Sequence, residues 1–371
     1  MQLTEEQRCL LWLSTAEIAA DRVRRMMEER GSARALWEDY SAGIAITGNA
    51  EANHILNRYH SEIAMDTLCE RIEKKDVLPL FQGDAAYPAM LGCINDPPYV
   101  LYGMGDVAVL NRPSIAVVGT RYPSAYGRNM ARAIAFGLCE AGACVVSGMA
   151  RGIDGCAHEG AIDAKGPTVA VLGSGVNVPY PLENIGIYRK IADGLGCVVS
   201  EFPLDSTPQT YHFPHRNRVI SGLSHAVVFV EGRVKSGGMI TVRTALDQGR
   251  DVFAVPGCVG QSVSEGPHTI IREGARLVTS AEDVLLDLGI EPKSDLTADK
   301  GVLQPVGDTP AQKAILKVLL REPTGMDGLC LETGLSADDM MAELSVMEIM
   351  GQIRRESGNI FAVAIRATRT E

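Results

Sequence analysis

Apolar and polar positions change their spacing at two points along the chain. Residues 1 to about 70 place apolar residues at helical spacing, as in AEIAADRVRRMMEER, and contain no strand-like run. From Ser114 onward, short β-branched runs alternate with amphipathic stretches of helix length. The runs are SIAVVG, CVVSG, TVAVLG, CVVSEF, HAVVFV and DVFAVPG. Strands that are apolar throughout and alternate with helices predict a parallel sheet covered on both faces.

This pattern divides the chain into four parts. Residues 1–75 predict a small helical domain, and residues 76–290 predict an α/β domain with a doubly wound parallel sheet, reached through the proline-rich stretch YPAMLGCINDPPYVLYGMGD. Residues 291–309 are polar and interrupted by prolines, which predicts a linker. Residues 310–371 show three helical stretches and then a two-stranded wing turning at Ser357-Gly358-Asn359, the order of a winged-helix domain.

Composition indicates a globular protein with reduced cysteines. Hydrophobic residues make up 46% of the chain, and its longest apolar runs are too short to cross a bilayer. The N-terminal stretch MQLTEEQRCLLWL has acidic residues where a signal peptide would be basic, so we expect no export and no membrane partner. The nine cysteines form no CxxC pair and lie mostly in apolar segments. We therefore expect buried thiols and a cytoplasmic location.

The distribution of charge is more informative than its total. The net charge is −11, which by itself argues against a nucleic-acid partner. Residues 112–290, however, hold 16 basic and 16 acidic residues, whereas residues 1–111 hold 10 and 17 and residues 291–371 hold 9 and 13. The central part is the least acidic, and its cations can be concentrated locally.

Basic residues surround a glycine turn in the stretch FPHRNRVISGLSHAVVFVEGRVKSGGMIT, residues 213–241. Arg216 and Arg218 lie where a helix is predicted to begin, and cations at that position oppose the helix dipole unless an anion binds there. The segment KSGG, residues 235–238, opens the next predicted helix and has the character of a phosphate-binding turn.

The first strand of the sheet leads into a second turn of this kind. Gly119 allows the backbone to turn closely, Thr120 offers a hydroxyl group, and Arg121 can form a bidentate contact with a phosphate. An ordinary strand-to-helix turn with a surface arginine would have the same sequence pattern. The agreement between the turns favours the phosphate interpretation.

Several other ligand classes lack their signatures. The turn at Gly119 is not GxGxxG, and the second strand ends in VVSGMARG without the acidic residue that contacts a nicotinamide ribose, so we expect no dinucleotide cofactor. KSGG lacks the order of a P-loop. Asp154, Cys156 and His158 would not share one helix face, and we expect no metal site. Loop geometry explains GSGVNVPYP, residues 173–181, as readily as binding does.

Seven segments carry a family resemblance: VVGTRYPSAYG, SGMARGIDGCAHEGA, VAVLGSGVNVPYP, SEFP, FPHRNRVISGLS, VVFVEGRVKSGGMITV and FAVPG. In this order and spacing they closely resemble the DNA-processing protein A family, also called DprA or Smf. The resemblance covers about residues 80–290. The helical front is similar to the sterile-alpha-motif-like domain of some members, and the tail is similar to their winged-helix domain.

The resemblance implies an extended Rossmann-like domain that binds single-stranded DNA without sequence preference and forms a homodimer. It also implies that the protein protects incoming strands and loads the RecA recombinase during natural transformation. The family's phosphate pocket and helix-start residues correspond here to Gly119, Thr120, Arg121, Arg216, Asn217, Arg218, Lys235, Ser236, Gly237 and Gly238. Two positions depart from the usual family pattern: Gly232, where many members have alanine, and His268, where many have asparagine.

Aromatic side chains near the arginines have two open interpretations. Tyr211, His212, Phe213 and His215 offer flat faces on which bases of a single strand can stack. Ordinary core packing is an equal alternative, especially for Phe213, which precedes a proline.

The leading alternative function is enzymatic. The predicted fold resembles that of Rossmann-like phosphoribohydrolases. These enzymes cleave nucleoside monophosphates with a PGGxGTxxE turn, whose glutamate is catalytic. The comparable turn here is KSGGMITVRT, and no acidic residue follows until Asp247. Glu231 is the most plausible remaining base, although it can equally neutralise Arg216 or Arg218. We therefore expect no catalytic residues.

A third class of function is a sequence-specific repressor. Its recognition helix would be SADDMMAELSVMEIMG, which carries four acidic residues and no basic one. DNA phosphates would repel such a helix, so contact with a protein partner is the better interpretation of the winged-helix domain.

Overall fold

A computed structural model of the chain describes residues 2–290, 309–349, 352–356 and 359–363. The chain forms two compact units, Met1–Lys293 and Ser294–Glu371. Almost all of the predicted linker, residues 291–308, lies outside the described residues. Within the described part, no helix is both long and apolar enough to span a membrane.

The first unit begins with helices that surround a buried tryptophan. Trp12 is fully buried, and its indole N–H donates a hydrogen bond of 2.9 Å to the carbonyl oxygen of Leu56. Thr4 and Gln7 form a capping box at the start of the first helix. The prediction of helices in this region is confirmed: α1 Glu5–Ser14, α2 Ala20–Arg30, α3 Ala33–Ser41, α4 Ala50–Tyr59 and α5 Glu62–Lys74.

A nine-stranded, mostly parallel sheet forms the centre of the first unit. All six predicted strand runs are present, as β3 to β8. The strands are β1 Val77–Phe81, β2 Val100–Gly105, β3 Ser114–Val118, β4 Cys144–Ser147, β5 Thr168–Val171, β6 Gly196–Ser200, β7 Ala226–Phe229, β8 Asp251–Ala254 and β9 Arg276–Leu277. Their order across the sheet is β1-β2-β6-β5-β4-β3-β7-β8-β9.

The sequence did not reveal the antiparallel edge formed by β1 and β2. This pair joins the sheet where Tyr102 of β2 lies opposite Ser200 of β6. Pro79 lies in β1, the outermost strand of the sheet. Proline has no backbone N–H to donate, and an edge strand tolerates this because no further strand pairs with it. The edge also supports α1, because the hydroxyl groups of Tyr102 and Ser14 are 2.6 Å apart. The predicted boundary between residues 75 and 76 stays a prediction.

Helices cover both faces of the sheet, as the apolar strands predict. Ile115 and Val117 of β3 belong to one hydrophobic cluster, whereas Ala116 and Val118 belong to another on the opposite face. The covering helices are α6 Ala89–Gly92, α7 Ala125–Glu140, α8 Ile153–Asp163, α9 Ile185–Lys190, α10 His212–Gly222, α11 Gly237–Asp247, α12 Glu265–Arg272 and α13 Ala281–Asp287. The doubly wound α/β fold is confirmed.

The order of the strands reverses beside β3. From β3 the chain proceeds through β4 and β5 to β6, and it then returns to place β7 on the other side of β3. β3 and β7 are parallel, and their last residues, Val118 and Phe229, lie opposite each other. Connections leave these two strands in different directions, so a crevice opens beyond their carboxyl ends, where open α/β sheets bind ligands.

The second unit has the predicted winged-helix order. Three helices and a three-stranded sheet enclose a core that contains Leu316, Leu329 and Phe361. The elements are α14 Pro310–Leu319, β10 Thr324–Gly325, α15 Met326–Thr333, α16 Ala337–Ile349, β11 Ile353–Glu356 and β12 Ile360–Val363. Asn359 has a left-handed backbone, with φ of 64°, while the other two residues of the predicted wing turn, 357 and 358, lie outside the described residues.

Candidate nucleic-acid interface

The turn after β3 lies directly against the end of β7. The backbone N–H of Thr120 donates a hydrogen bond of 2.7 Å to the carbonyl oxygen of Glu231. A Cβ atom at Gly119 would lie 2.6 Å from that oxygen and 2.7 Å from the Ile153 side chain, which is too close for any side chain. Glycine is therefore required at position 119 because two backbones meet there.

The start of α11 completes the other side of the crevice. Ser236 is its N-cap residue with an extended backbone, yet its side chain makes no capping hydrogen bond. A Cβ atom at Gly238 would lie 3.1 Å from the Cα atom of Gly119, so the two glycine turns touch. At Gly237 the corresponding position is open, and the first turn of α11 has no acidic residue. The first N–H groups of this helix are thus available to an anion.

Each of these two turns carries an exposed cation. Arg121 and Lys235 are both exposed, and neither forms an ion pair within the part of the chain that the structure describes. The Arg121 guanidinium lies over the ring of Phe213, 5.5 Å from its centroid. Unpaired cations beside an uncapped helix start form a site suited to a phosphate group.

Arg216 belongs to α10 and is only 4% exposed. It donates a hydrogen bond of 2.5 Å to the carbonyl oxygen of Gly148 and another to that of Val171, at the ends of β4 and β5. Burial lowers the pKa of Arg216 to about 10, while Asp154 opposes this effect and Arg121 reinforces it. Arg216 is therefore a fixed, buried cation at the ends of β4 and β5, with Asp154 as its acidic neighbour.

The prediction that a helix begins at Arg216 and Arg218 is wrong, because α10 begins at His212 and both arginines lie inside it. Within this helix Asn217 and Arg218 have different partners. The Asn217 amide donates to the carbonyl oxygen of Gly237 at 3.4 Å, which connects α10 to the start of α11. Arg218 instead forms ion pairs with Glu201 and, at 3.0 Å, with Asp96. Burial opposes ionisation of Glu201, yet Arg218 and His215 outweigh it and lower the pKa of this carboxyl group. We therefore leave Arg218 out of the phosphate site.

Comparison with known proteins identifies the family of this chain. Residues 79–289 match the family of DNA recombination-mediator protein A, and residues 303–359 match the DprA winged helix domain. The first match covers more than half of the chain. This chain belongs to the DNA recombination-mediator protein A family.

Relatives with high similarity share the same family names. Protein Smf of Escherichia coli is 45% identical over 202 residues, an alignment that covers 54% of this chain and 54% of that protein, so the chain spans about half of this relative's length. DNA processing protein A of Streptococcus pneumoniae has a similar structure, with a TM-score of 0.62 and 30% identity over 77% of this chain and 99% of that one.

A second solved structure describes the single-stranded DNA binding mode of DNA processing protein A from Helicobacter pylori. It has a TM-score of 0.52 and 28% identity to this chain, and it covers 57% of this chain and 95% of that one. These matches confirm the resemblance that the seven sequence segments indicated.

Glu231, the residue considered as a base, is enclosed by the start of α7. Its side chain is 1% exposed, and its carboxylate accepts hydrogen bonds from the N–H and hydroxyl groups of Ser124, at 2.8 Å and 2.5 Å. A Cβ atom at Gly127 would collide with this carboxylate, so the first turn of α7 packs directly on it. Glu231 therefore stabilises the start of α7, and it does not pair with Arg216 or Arg218.

The aromatic residues divide into two groups. His212 is fully buried and stacks on Phe202, with ring centroids 3.8 Å apart, so it offers no free face. Tyr211 is 66% exposed but lines a cavity of about 320 Å³ that contains Glu17 and Glu201, an acidic environment. Phe213 alone lies next to a cation of the phosphate site.

Arg128 was not among the site residues predicted from the sequence. This exposed residue in the first turn of α7 lines an open groove of about 430 Å³ together with Arg121, Tyr122 and Gly152. A detectable signal was its position at the end of the motif VVGTRYPSAYGR, where the predicted helix begins.

His268, which departs from the family pattern, has a nearby structural contact: its Nε2 atom is 2.9 Å from the carbonyl oxygen of Gly257.

His158 is fully buried below this groove and has only one polar partner. Its Nδ1 atom lies 2.8 Å from the hydroxyl oxygen of Thr168, and within the described structure its Nε2 atom has no hydrogen-bond partner. Burial and the nearby Arg216 lower the pKa of His158 to about 3 from its usual value of 6.5. Unfolding therefore allows this histidine to take up a proton.

We predict that His158 makes the first unit less stable at acidic pH. A folded-state pKa of about 3 contributes stability that is complete above pH 6.5 and is lost as pH falls towards 3. Between pH 7 and pH 5 the loss is about 2 kcal/mol. Urea titrations followed by the fluorescence of Trp12 and Trp37 would measure it, and a His158→Gln variant should lose about 2 kcal/mol less. Equal losses in both proteins would contradict the prediction.

Proposed function

We propose that this chain is a recombination mediator that binds single-stranded DNA by its phosphate backbone. It protects strands that enter during natural transformation, and it loads the RecA recombinase onto them. We further propose that it acts as a cytoplasmic homodimer. The Helicobacter pylori protein, a DNA processing protein A with a single-stranded DNA binding mode, supports the first part for a chain of the same family.

One observation carries the proposal. The uncapped start of α11, at Ser236–Gly238, touches the turn Gly119–Arg121 at the point where the strand order reverses. The first N–H groups of α11 lie at this point, Lys235 directly precedes them in the chain, and Arg121 belongs to the neighbouring turn. A phosphodiester satisfies all of these donors, and none of them depends on the identity of a base.

The path of the strand is supported by the groove next to Arg121. Arg128 lies in the same groove, so a second phosphate along the backbone meets a second arginine. Successive phosphates held by cations on one edge of the sheet suit an extended single strand. A protein that reads duplex DNA inserts a basic helix or β-ribbon into a groove of the DNA. None of the described elements around this site is such a helix or ribbon.

The winged-helix unit is proposed to contact a protein partner. Asp338 and Asp339 lie in the first turn of α16, and α16 contains no basic residue. Glu343, on the same helix, accepts hydrogen bonds from Thr309 at 3.1 Å and from Gln312 at 2.8 Å, which ties it to its own unit. An acidic helix repels phosphates but suits a basic protein surface.

A hydrolase is the alternative, and the position of Glu231 argues against it. A general base needs an oxygen free to reach the reacting atom. Both Glu231 oxygens already accept hydrogen bonds from Ser124. We therefore propose that the chain is not an enzyme.

The strand-binding proposal predicts at least tenfold tighter binding of an oligonucleotide than of its duplex, about 1.4 kcal/mol. Arg121→Ala and Lys235→Ala should each weaken binding of every sequence and flatten the dependence of affinity on salt, because each removed cation releases about one counterion fewer. Gel-shift titrations at several salt concentrations would measure both effects.

Arg112→Ala provides the matched control for these two variants. Arg112 is exposed and precedes β3, so it lies at the opposite end of the strand from Arg121. Its substitution should leave affinity unchanged. Equal affinity for single strands and duplexes, or wild-type binding by both site variants, would refute the proposal.

The second prediction concerns the acidic winged-helix unit. A chain shortened to residues 1–293, the first compact unit, should fold and bind single strands with the affinity of the full chain. Circular dichroism would establish folding, and the same gel-shift titrations would measure affinity. Loss of strand binding with a native-like spectrum would make the winged-helix unit a DNA contact.

The third prediction is that nucleoside monophosphates, ATP with magnesium and labelled single strands are not hydrolysed above background. Chromatography of the products after incubation would test this. Turnover in the wild-type protein that disappears in Glu231→Gln would instead support the phosphoribohydrolase alternative.

A further inference from the structure

Three flat groups lie in a row at the edge of the phosphate site. The Arg121 guanidinium is 5.5 Å from the centroid of the Phe213 ring. The Phe213 ring is in turn 5.6 Å from the ring of Tyr180, with the two planes inclined by 40°. The row begins at a residue of the phosphate site and ends at a surface tyrosine.

The fold holds the middle of this row in place. Phe213 is half-buried, and a Cβ atom at Gly173 would lie 3.1 Å from its ring, so the ring rests on the backbone of the loop after β5. Phe213 also follows His212, which is anchored at 3.1 Å to the carbonyl oxygen of Gly173. The ring has little room to move, and it fixes the position of whatever packs against it.

Tyr180 leaves much of its ring and its hydroxyl group free. Its side chain is 43% exposed, and within the described residues its hydroxyl group makes no hydrogen bond. Tyr122 is more exposed, at 79%, but in the same described part it has no ring neighbour. Tyr180 is therefore an exposed ring that packs against the ring under Arg121, and this contact restricts its orientation, which lowers the cost of ordering it on binding.

We propose that Tyr180, backed by Phe213, is a stacking platform for the nucleobase next to the phosphate that Arg121 binds. This inference rests on the proposed function. Stacking on an aromatic ring accepts any base, because every base has a π face. The platform adds affinity without adding sequence preference, and it distinguishes unpaired bases from bases enclosed in a duplex.

The test compares a normal oligonucleotide with an abasic strand that has the same number of phosphates. Tyr180→Ala should bind the normal strand at least about fivefold more weakly, with the salt dependence of binding unchanged. On the abasic strand, Tyr180→Ala and wild type should bind equally. Tyr180→Phe should retain wild-type affinity on both strands, because among the described residues the hydroxyl group has no partner to lose.

Tyr211→Ala is the matched control, since Tyr211 is exposed but lines the acidic cavity. It should bind both strands as the wild type does. Equal fractional losses of Tyr180→Ala on normal and abasic strands would show a structural effect and overturn the platform, as would an unchanged affinity for the normal strand. Failure of the wild-type protein to bind either strand would instead overturn the proposed function itself.

Discussion

The contact between two glycine backbones is the constraint on which the site depends. Gly119 directly follows β3 and Gly238 is the second residue of α11, and a Cβ atom on Gly238 would lie 3.1 Å from the Cα atom of Gly119. This approach is possible because β3 and β7 are neighbours whose connections diverge. It places the first turn of α11 against the turn that carries Arg121. A side chain at Gly238 would push these two turns apart, whereas one at Gly119 would collide with the carbonyl oxygen of Glu231 and with Ile153.

The charge around the candidate phosphate site depends on where individual charged residues lie rather than on the net charge of the chain. The chain has a net charge of −11, yet Arg121 and Lys235 have no acidic partner among the described residues. The nearby acidic residues bind other groups, since Glu231 accepts hydrogen bonds from Ser124 and Glu201 pairs with Arg218. Buried Arg216 lies near the buried Asp154, so these two opposite charges act on each other where water screens them little.

Local patterns in the sequence were sufficient for the elements of the fold but not for their long-range partners. The six apolar runs became β3 to β8 because each is buried on both faces, and the two glycine turns met as expected. The β1–β2 edge, the ion pair of Arg218 with Asp96 and the contact of Glu231 with Ser124 join residues more than 15 positions apart. Such contacts leave no periodic signal, so Arg216 and Arg218 looked alike in sequence although Arg216 binds backbone carbonyl groups and Arg218 forms ion pairs.

Arg121 connects the two components of sequence-neutral binding. A long side chain loses rotamer freedom when it grips a phosphate, and this loss costs affinity. The ring of Phe213 restrains the Arg121 guanidinium before any ligand arrives, through a cation–π contact worth about 0.5–1 kcal/mol at an exposed site. Among the described residues Lys235 has no such ring, and it acts as a mobile point charge. The ring that orients the arginine also contacts Tyr180, so the proposed phosphate contact and the proposed base stacking share one rigid element.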